Sequence, residues 1–243
     1  MTLFERIDQP PTQSAGRIHE REDAVPRIRF LLDAPSLNPS ELIKVLKYRP
    51  DLIEAYDGEG AAGLSVEVHT QRVLRQFETY FSRADSFQDQ RGFLRLFLAL
   101  HDLGKPRSIV EGRPENEHAY TEQIMDGVFA ELDIDEKDRR LARGLISHDP
   151  IGEYLQGKVT VEDAVGMIIE MSKRAEVSPE FMEKLSEAYF QVDAGSYTKD
   201  AGGEERLDFL FRFDTERHSA AFSQTTEQKM LLLRKAVSLA AAS

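Results

Sequence analysis

From Ser65 onward the apolar residues of this 243-residue chain recur at the spacing of one helix face, and almost nowhere do they alternate as a strand would. Val66, His69, Val73, Phe77 and Phe81 share a face of a helix expected over about 65–83. Phe93, Phe97 and His101 share the next, with Leu94, Leu98 and Asp102 beside them. His118, Met125, Phe129 and Leu132 line a third, and Leu141, Leu145 and His148 a fourth that Pro150 should end. A fifth covers about 161–174, and a sixth, entered at Pro179, carries Phe181, Leu185, Tyr189 and Asp193 on one stripe. A polar loop follows Ala194-Gly195 to about Gly203, and a last helix over about 223–242 should pack across the bundle. With strand patterns nearly absent, the expected class is all-α.

The chain reads as three parts. Residues 1–60 form an arm and short helices, 61–203 a helical core, and 204–243 a C-terminal helical extension on that core. Pro10, Pro11 and Pro26 among polar residues make 1–26 look like a loose arm. Asn38-Pro39-Ser40-Glu41 opens a short helix with Asn38 or Ser40 as its cap, and three glycines make 57–63 a loop.

Composition removes several function classes. The chain has no cysteine, so disulfides, thiolate nucleophiles and cysteine metal ligands are excluded. A formal charge of −12 argues against gripping a long nucleic acid, which needs a basic face. A small phosphorylated substrate stays open, because bound metals and a few local cations reverse the field inside a cleft. Apolar runs such as 93–100 are too short for a bilayer, so no membrane partner is expected. The N-terminus lacks a secretory pattern, and a cytoplasmic protein is expected.

Five of the helices carry a metal-ligand type of side chain at or near an end of the apolar face: His69, then His101 with Asp102, then His118, His148 and Asp193. One inward histidine is ordinarily a hydrogen-bonded core residue. Four of the chain's six histidines and two aspartates turned inward on separate helices are hard to satisfy by mutual hydrogen bonding. A divalent metal resolves this, since imidazole and carboxylate suit Zn, Fe, Mn and Ni, and helix bundles build such sites from facing helices.

The order His69, His101-Asp102, His118, His148, Asp193, with H-D-L-G-K-P at its centre and V-H-T-Q-R-V-L around His69, resembles the HD-domain superfamily of metal-dependent phosphohydrolases. The likeness covers about 60–200 and implies an HD-like helical bundle. It implies that His69, His101, Asp102 and Asp193 are the shared ligands and that His118 and His148 are the extra pair of two-metal subgroups. Asp102 would bridge two divalent ions, with Mn, Fe, Ni, Zn and Mg all open. Asp149, Asp126 and Asp163 compete with Asp193, which its helical stripe and V-D-A setting favour.

A two-metal site acidifies a bridging water and clamps the oxygens of a phosphoryl group. Asp102 would thus be catalytic as well as a ligand. Lys105, just past the ligand pair, would neutralise a substrate phosphate, with Arg72 and Lys199 as weaker candidates. The motif is closest to the HD domain attached to some tRNA nucleotidyltransferases, but no nucleotidyltransferase head is present. The G-Y-P signature of the cyclic-dinucleotide signalling subgroup is also absent. The resemblance therefore implies a phosphohydrolase or phosphodiesterase of a nucleotide or other small phosphate ester. One alternative is the di-iron oxygenase branch with the same six ligands, which cleaves C–H or C–P bonds with O2. Another is a binding or regulatory module with a degenerate site.

Overall fold

The computed structural model describes residues 14–60, 63–203 and 205–242. Residues 1–13 of the expected arm lie outside the described residues. From Ser14 the chain is helical, and α1 (Ser14–Asp33) runs through Pro26. A proline inside a helix removes a hydrogen bond and crowds the preceding turn, which argued for a loose arm. The buried stripe of Ala24, Ile28, Leu31 and Leu32 carries the helix across it.

α2 (Pro39–Leu46) and α3 (Pro50–Asp57) are each entered on proline, where the missing N–H has no intrahelical partner to lose. Asn38 caps α2 by accepting the Ser40 backbone N–H. α4 (Val66–Tyr80) is capped by Ser65. α5 (Arg91–Leu100) and α6 (Lys105–Glu111) are separated by a tight turn over 101–104. α7 (Glu117–Glu131) comes next, then α8 (Glu136–Ser147), capped by Asp135. Pro150 opens α9 (Pro150–Leu155) rather than ending α8, and His148 is the residue that closes α8. α10 (Val161–Ala175) starts on a reciprocal Thr160–Asp163 capping box, and α11 (Pro179–Gly195) on Ser178. A hairpin of β1 (Phe211–Asp214) and β2 (Ser219–Phe222) precedes α12 (Gln224–Ala241). Four-residue strands are too short to show alternation, so the sequence pattern hid them.

The architecture is all-α apart from that antiparallel hairpin. α4 packs on α5 and α11, α10 packs on α8, α11 and α12, and α1 lies on α2 and α5. One hydrophobic core runs from Ile28 to Val237, so the first and last helices both contribute to it. In α5 every residue from Phe93 to Leu100 is buried. A helix buried on all sides belongs at the centre of a bundle, and this one delivers its C-terminal end, with His101 and Asp102, into the interior. Among the described residues no helix is long and apolar enough to cross a membrane.

Candidate metal centre

Three elements distant in sequence meet at the end of α5. His69 comes from the first turns of α4, His101 from the turn after α5, and Asp193 from the last turn of α11. The two Nε2 atoms are 3.3 Å apart. Asp193 Oδ1 lies 3.0 Å from His69 Nε2 and 3.6 Å from His101 Nε2. Both histidines are buried, Asp193 is half-buried, and one ligand atom from each falls within a 4.8 Å group that could hold a metal ion.

The far sides of the rings are tied down. His101 Nδ1 is 2.7 Å from Leu98 O, and because a carbonyl only accepts, Nδ1 is the donor there and Nε2 is the ring nitrogen turned to the group. His69 Nδ1 is 3.2 Å from Ser196 Oγ. Tyr197 stacks on His69 and the Tyr189 ring edge meets His101, with centroids 4.9 and 5.8 Å apart. Such outer partners fix ring orientation in metal sites. Two oriented imidazoles and a carboxylate match the donor preferences of first-row transition metals. Burial alone would raise the Asp193 carboxyl, but His101 and His69 outweigh it and hold it far below the usual range. Burial lifts the Tyr189 and Tyr197 phenols, with Asp193 and Asp102 adding to the effect, so both stay protonated.

Asp102 stands at the edge of this group. Its Oδ2 is 3.3 Å from His69 Nε2 and its Oδ1 3.7 Å from His101 Nε2. Lys105 Nζ donates to Oδ2 at 2.7 Å and lies 3.5 Å from Glu117. Lys105 opens α6 instead of trailing a helix end, so its charge sits at the terminus where the helix dipole disfavours a cation. Burial pushes its ammonium down, and Asp102 and Glu117 outweigh that, leaving it above its ordinary value.

Gly104 has a steric reason. A Cβ there would lie 2.3 Å from Glu117 O and 2.4 Å from Thr121 N, and its own N–H donates to Thr121 Oγ1 at 3.0 Å. Its backbone is ordinary helical, so glycine serves close approach to α7 and not a left-handed turn.

The group opens into a cavity of about 440 Å³. Its walls include His101, Asp102, Lys105, Glu117, His118, His148, Asp149, Tyr189, Asp193 and Tyr197, together with Leu145, Ile146, Leu155, Phe190, Leu207, Phe209 and Leu210. His118 and His148 thus face the same space as Asp102 but are not in the three-residue group. The expected inward stripe holds for Met125, Phe129 and Leu132 and fails for His118, which is exposed because the first turn of α7 projects beyond the core. His148 is half-exposed and 3.9 Å from Glu170.

Arg72 and Lys199 are absent from the cavity wall. Lys199 is exposed on a turn whose backbone N–H is held by Asp208, and Arg72, half-buried on α4, acts at a distance on Tyr197. Asp126 pairs with Arg143, Asp163 caps α10 and Asp149 caps α9, so the three competitors of Asp193 have other work. Sequence reasoning missed Glu117, Ser196 and Tyr197. The first precedes His118 directly, and the other two come within one turn after Asp193, which is the only signal they gave.

No family model matches the chain, and no curated protein or solved structure is similar to it.

Proposed function

We propose that this protein is a metal-dependent hydrolase of a small phosphate ester, working at the His69–His101–Asp193 group. The observation that carries this reading is the Asp102–Lys105 pair, which lines the cavity beside that group. A carboxylate next to a candidate metal site, with an ammonium bonded to its cavity side, suits a phosphoryl group better than an uncharged substrate. The motif's resemblance to the HD-domain phosphohydrolases supports the same choice.

A divalent ion on His69, His101 and Asp193 would supply Lewis acidity and a more acidic water. A second ion would draw on Asp102 with His118 and His148, which share the cavity wall. The chain's own part is positional. Leu98 O and Ser196 aim the imidazoles, Asp102 and Glu117 hold Lys105 protonated, and Lys105 offers its ammonium to a phosphoryl oxygen as charge builds there. Water adds at phosphorus, the P–O ester bond breaks, and the departing oxygen takes a proton.

Protein purified without chelator should carry one or two equivalents of a transition metal by elemental analysis. With Mn2+ or Ni2+ it should release nitrophenol from nitrophenyl phosphate mono- or diesters. The absence of both metal uptake and ester hydrolysis would refute the reading.

Two histidines and one carboxylate are also the ligand set of many non-haem iron oxygenases. That observation favours a second reading, oxidation of an organic substrate with O2 at iron. Oxygen consumption by iron-loaded protein, without phosphoester turnover, would select it.

A further inference from the structure

The cavity wall carries two unlike sets of residues, and the second has no part in the chemistry proposed above. The charged set holds Asp102, Glu117, Asp149 and Asp193 with a single lysine, Lys105. One divalent ion leaves this set one charge negative and two leave it one charge positive, too little positive charge for a polyphosphate chain. Arg72 and Lys199, which could have supplied more, do not reach the wall. The charge balance therefore suits a single phosphoryl group.

The second set is apolar. Phe190 of α11, Leu155 of α9, and Leu207, Phe209 and Leu210 from the 3-10 segment Glu205–Leu210 line the same cavity. Phe209 is 69 % exposed although it lines the cavity, so its ring offers apolar surface to a bound molecule. This rim is fastened at both ends. Before it, a Cβ on Gly203 would come within 2.4 Å of Tyr197 O, so the chain folds tightly onto the residue that stacks on His69. After it, Phe211 and Phe222 of the hairpin pack against Phe190, with ring centroids 6.2 and 6.3 Å away. A wall held this way is preformed, as ligand sites usually are.

We infer that the substrate is a phosphomonoester or phosphodiester carrying one phosphoryl group and a compact apolar substituent, an alkyl or aryl group seated against Phe209, Leu207 and Phe190. This rests on the phosphoester reading and adds the substrate class to it. Phe209 is the specificity residue, because it is the most exposed of the apolar wall residues and is not one of the candidate ligands.

The test is calorimetric binding of unreactive alkylphosphonates, methyl to hexyl, and phenylphosphonate to the Mn2+-loaded full chain. Full burial of a methylene corresponds to roughly fourfold in Kd, so affinity should climb by about twofold to fourfold per carbon until the cavity is full. Phe209→Ala should flatten that climb while leaving methylphosphonate affinity and metal content unchanged. Phe209→Leu, a milder change should the alanine variant fold poorly, should keep part of it. Methylphosphonate binding as tightly as hexylphosphonate in the wild type overturns the apolar subsite and leaves the hydrolase reading standing. No phosphonate binding at all, together with no ester hydrolysis, overturns both. A climb that survives intact in a folded Phe209→Ala variant removes Phe209 from the role.

Discussion

Among the described residues Arg95 is the largest fully buried side chain. Its Nε and Nη2 each donate to Glu78 at 2.8 Å, and Nη1 donates to Leu32 O and Ala34 O at 2.7 and 2.6 Å. One guanidinium therefore joins α4, α5 and the exit of α1, which makes it a brace beneath the helix that carries His101. Removing one partner of such a pair strands the other charge. Arg95→Ala should lower stability by about 3–5 kcal/mol in urea unfolding, whereas Arg95→Met with Glu78→Leu should recover most of it. A loss under about 1 kcal/mol in the single variant would contradict the brace. The other cation of interest, Lys105, has a functional expectation. Lys105→Ala should keep its metal and lose roughly tenfold to a thousandfold in phosphoester turnover, with only partial rescue by Lys105→Arg. Wild-type turnover, or loss of metal in the alanine variant, would count against it. Neither pairing was visible in the sequence, where Arg95 is a single charge inside the otherwise apolar run 93–100. A helical stripe shows which way a side chain points and gives no clue to a partner 17 residues away.

The helices themselves were legible because their signals are local. Prolines at first positions, Ser65, Thr160 and Ser178 as caps, and apolar stripes on α4, α5, α10 and α11 all lie within one or two turns of what they specify. His69, His101 and Asp193 were legible for the same reason. α1 and the hairpin were not: one depends on packing against α2 and α5 to carry Pro26, the other on Phe190 as a platform. The seam between α11 and α12 also lay beyond reach, because it joins segments through charge. There Glu183 on α11 faces Arg234 on α12, with Glu187 and Lys184 beside it, and one Glu183 oxygen is buried without a hydrogen bond. Burial, reinforced by Glu187, lifts its carboxyl to about 7 from an ordinary value of 4.5. A carboxyl raised on folding binds its proton more tightly in the folded state. Its contribution is therefore complete below pH 4.5 and lost as pH climbs through about 7. Glu183→Gln keeps the shape and removes the titration. Thermal melts should show the variant gaining on the wild type from pH 5 to pH 8, and a constant difference across that range would refute the assignment.

The group of three is also a tie across the whole chain, since His69, His101 and Asp193 bring together segments that meet only in the folded state. α4, α5 and α11 share a single core with α1 and α12, so a ligand that fastens them acts on the global unfolding equilibrium and not on one loop. Without metal, the buried imidazole Nε2 atoms and a carboxylate depend on one another and on whatever protons they share, an arrangement that is costly to keep out of water. An ion that binds the folded state alone stabilises it by RT ln(1 + [L]/Kd), about 2.7 kcal/mol at a hundredfold excess over Kd. For a domain of this size each kcal/mol moves Tm by about 2–4 °C, so saturating Mn2+, Ni2+ or Zn2+ should raise Tm by roughly 5–10 °C. The shift should vanish in His101→Ala and shrink in Asp193→Asn. It should persist in His118→Ala and His148→Ala, because those side chains face the cavity from outside the group. Metal content then separates the two populations, with the rim variants losing at most the second ion. Equal loss of the thermal shift in all four variants would mean that the rim histidines hold the stabilising ion, and the three-residue group would lose its standing as the primary site.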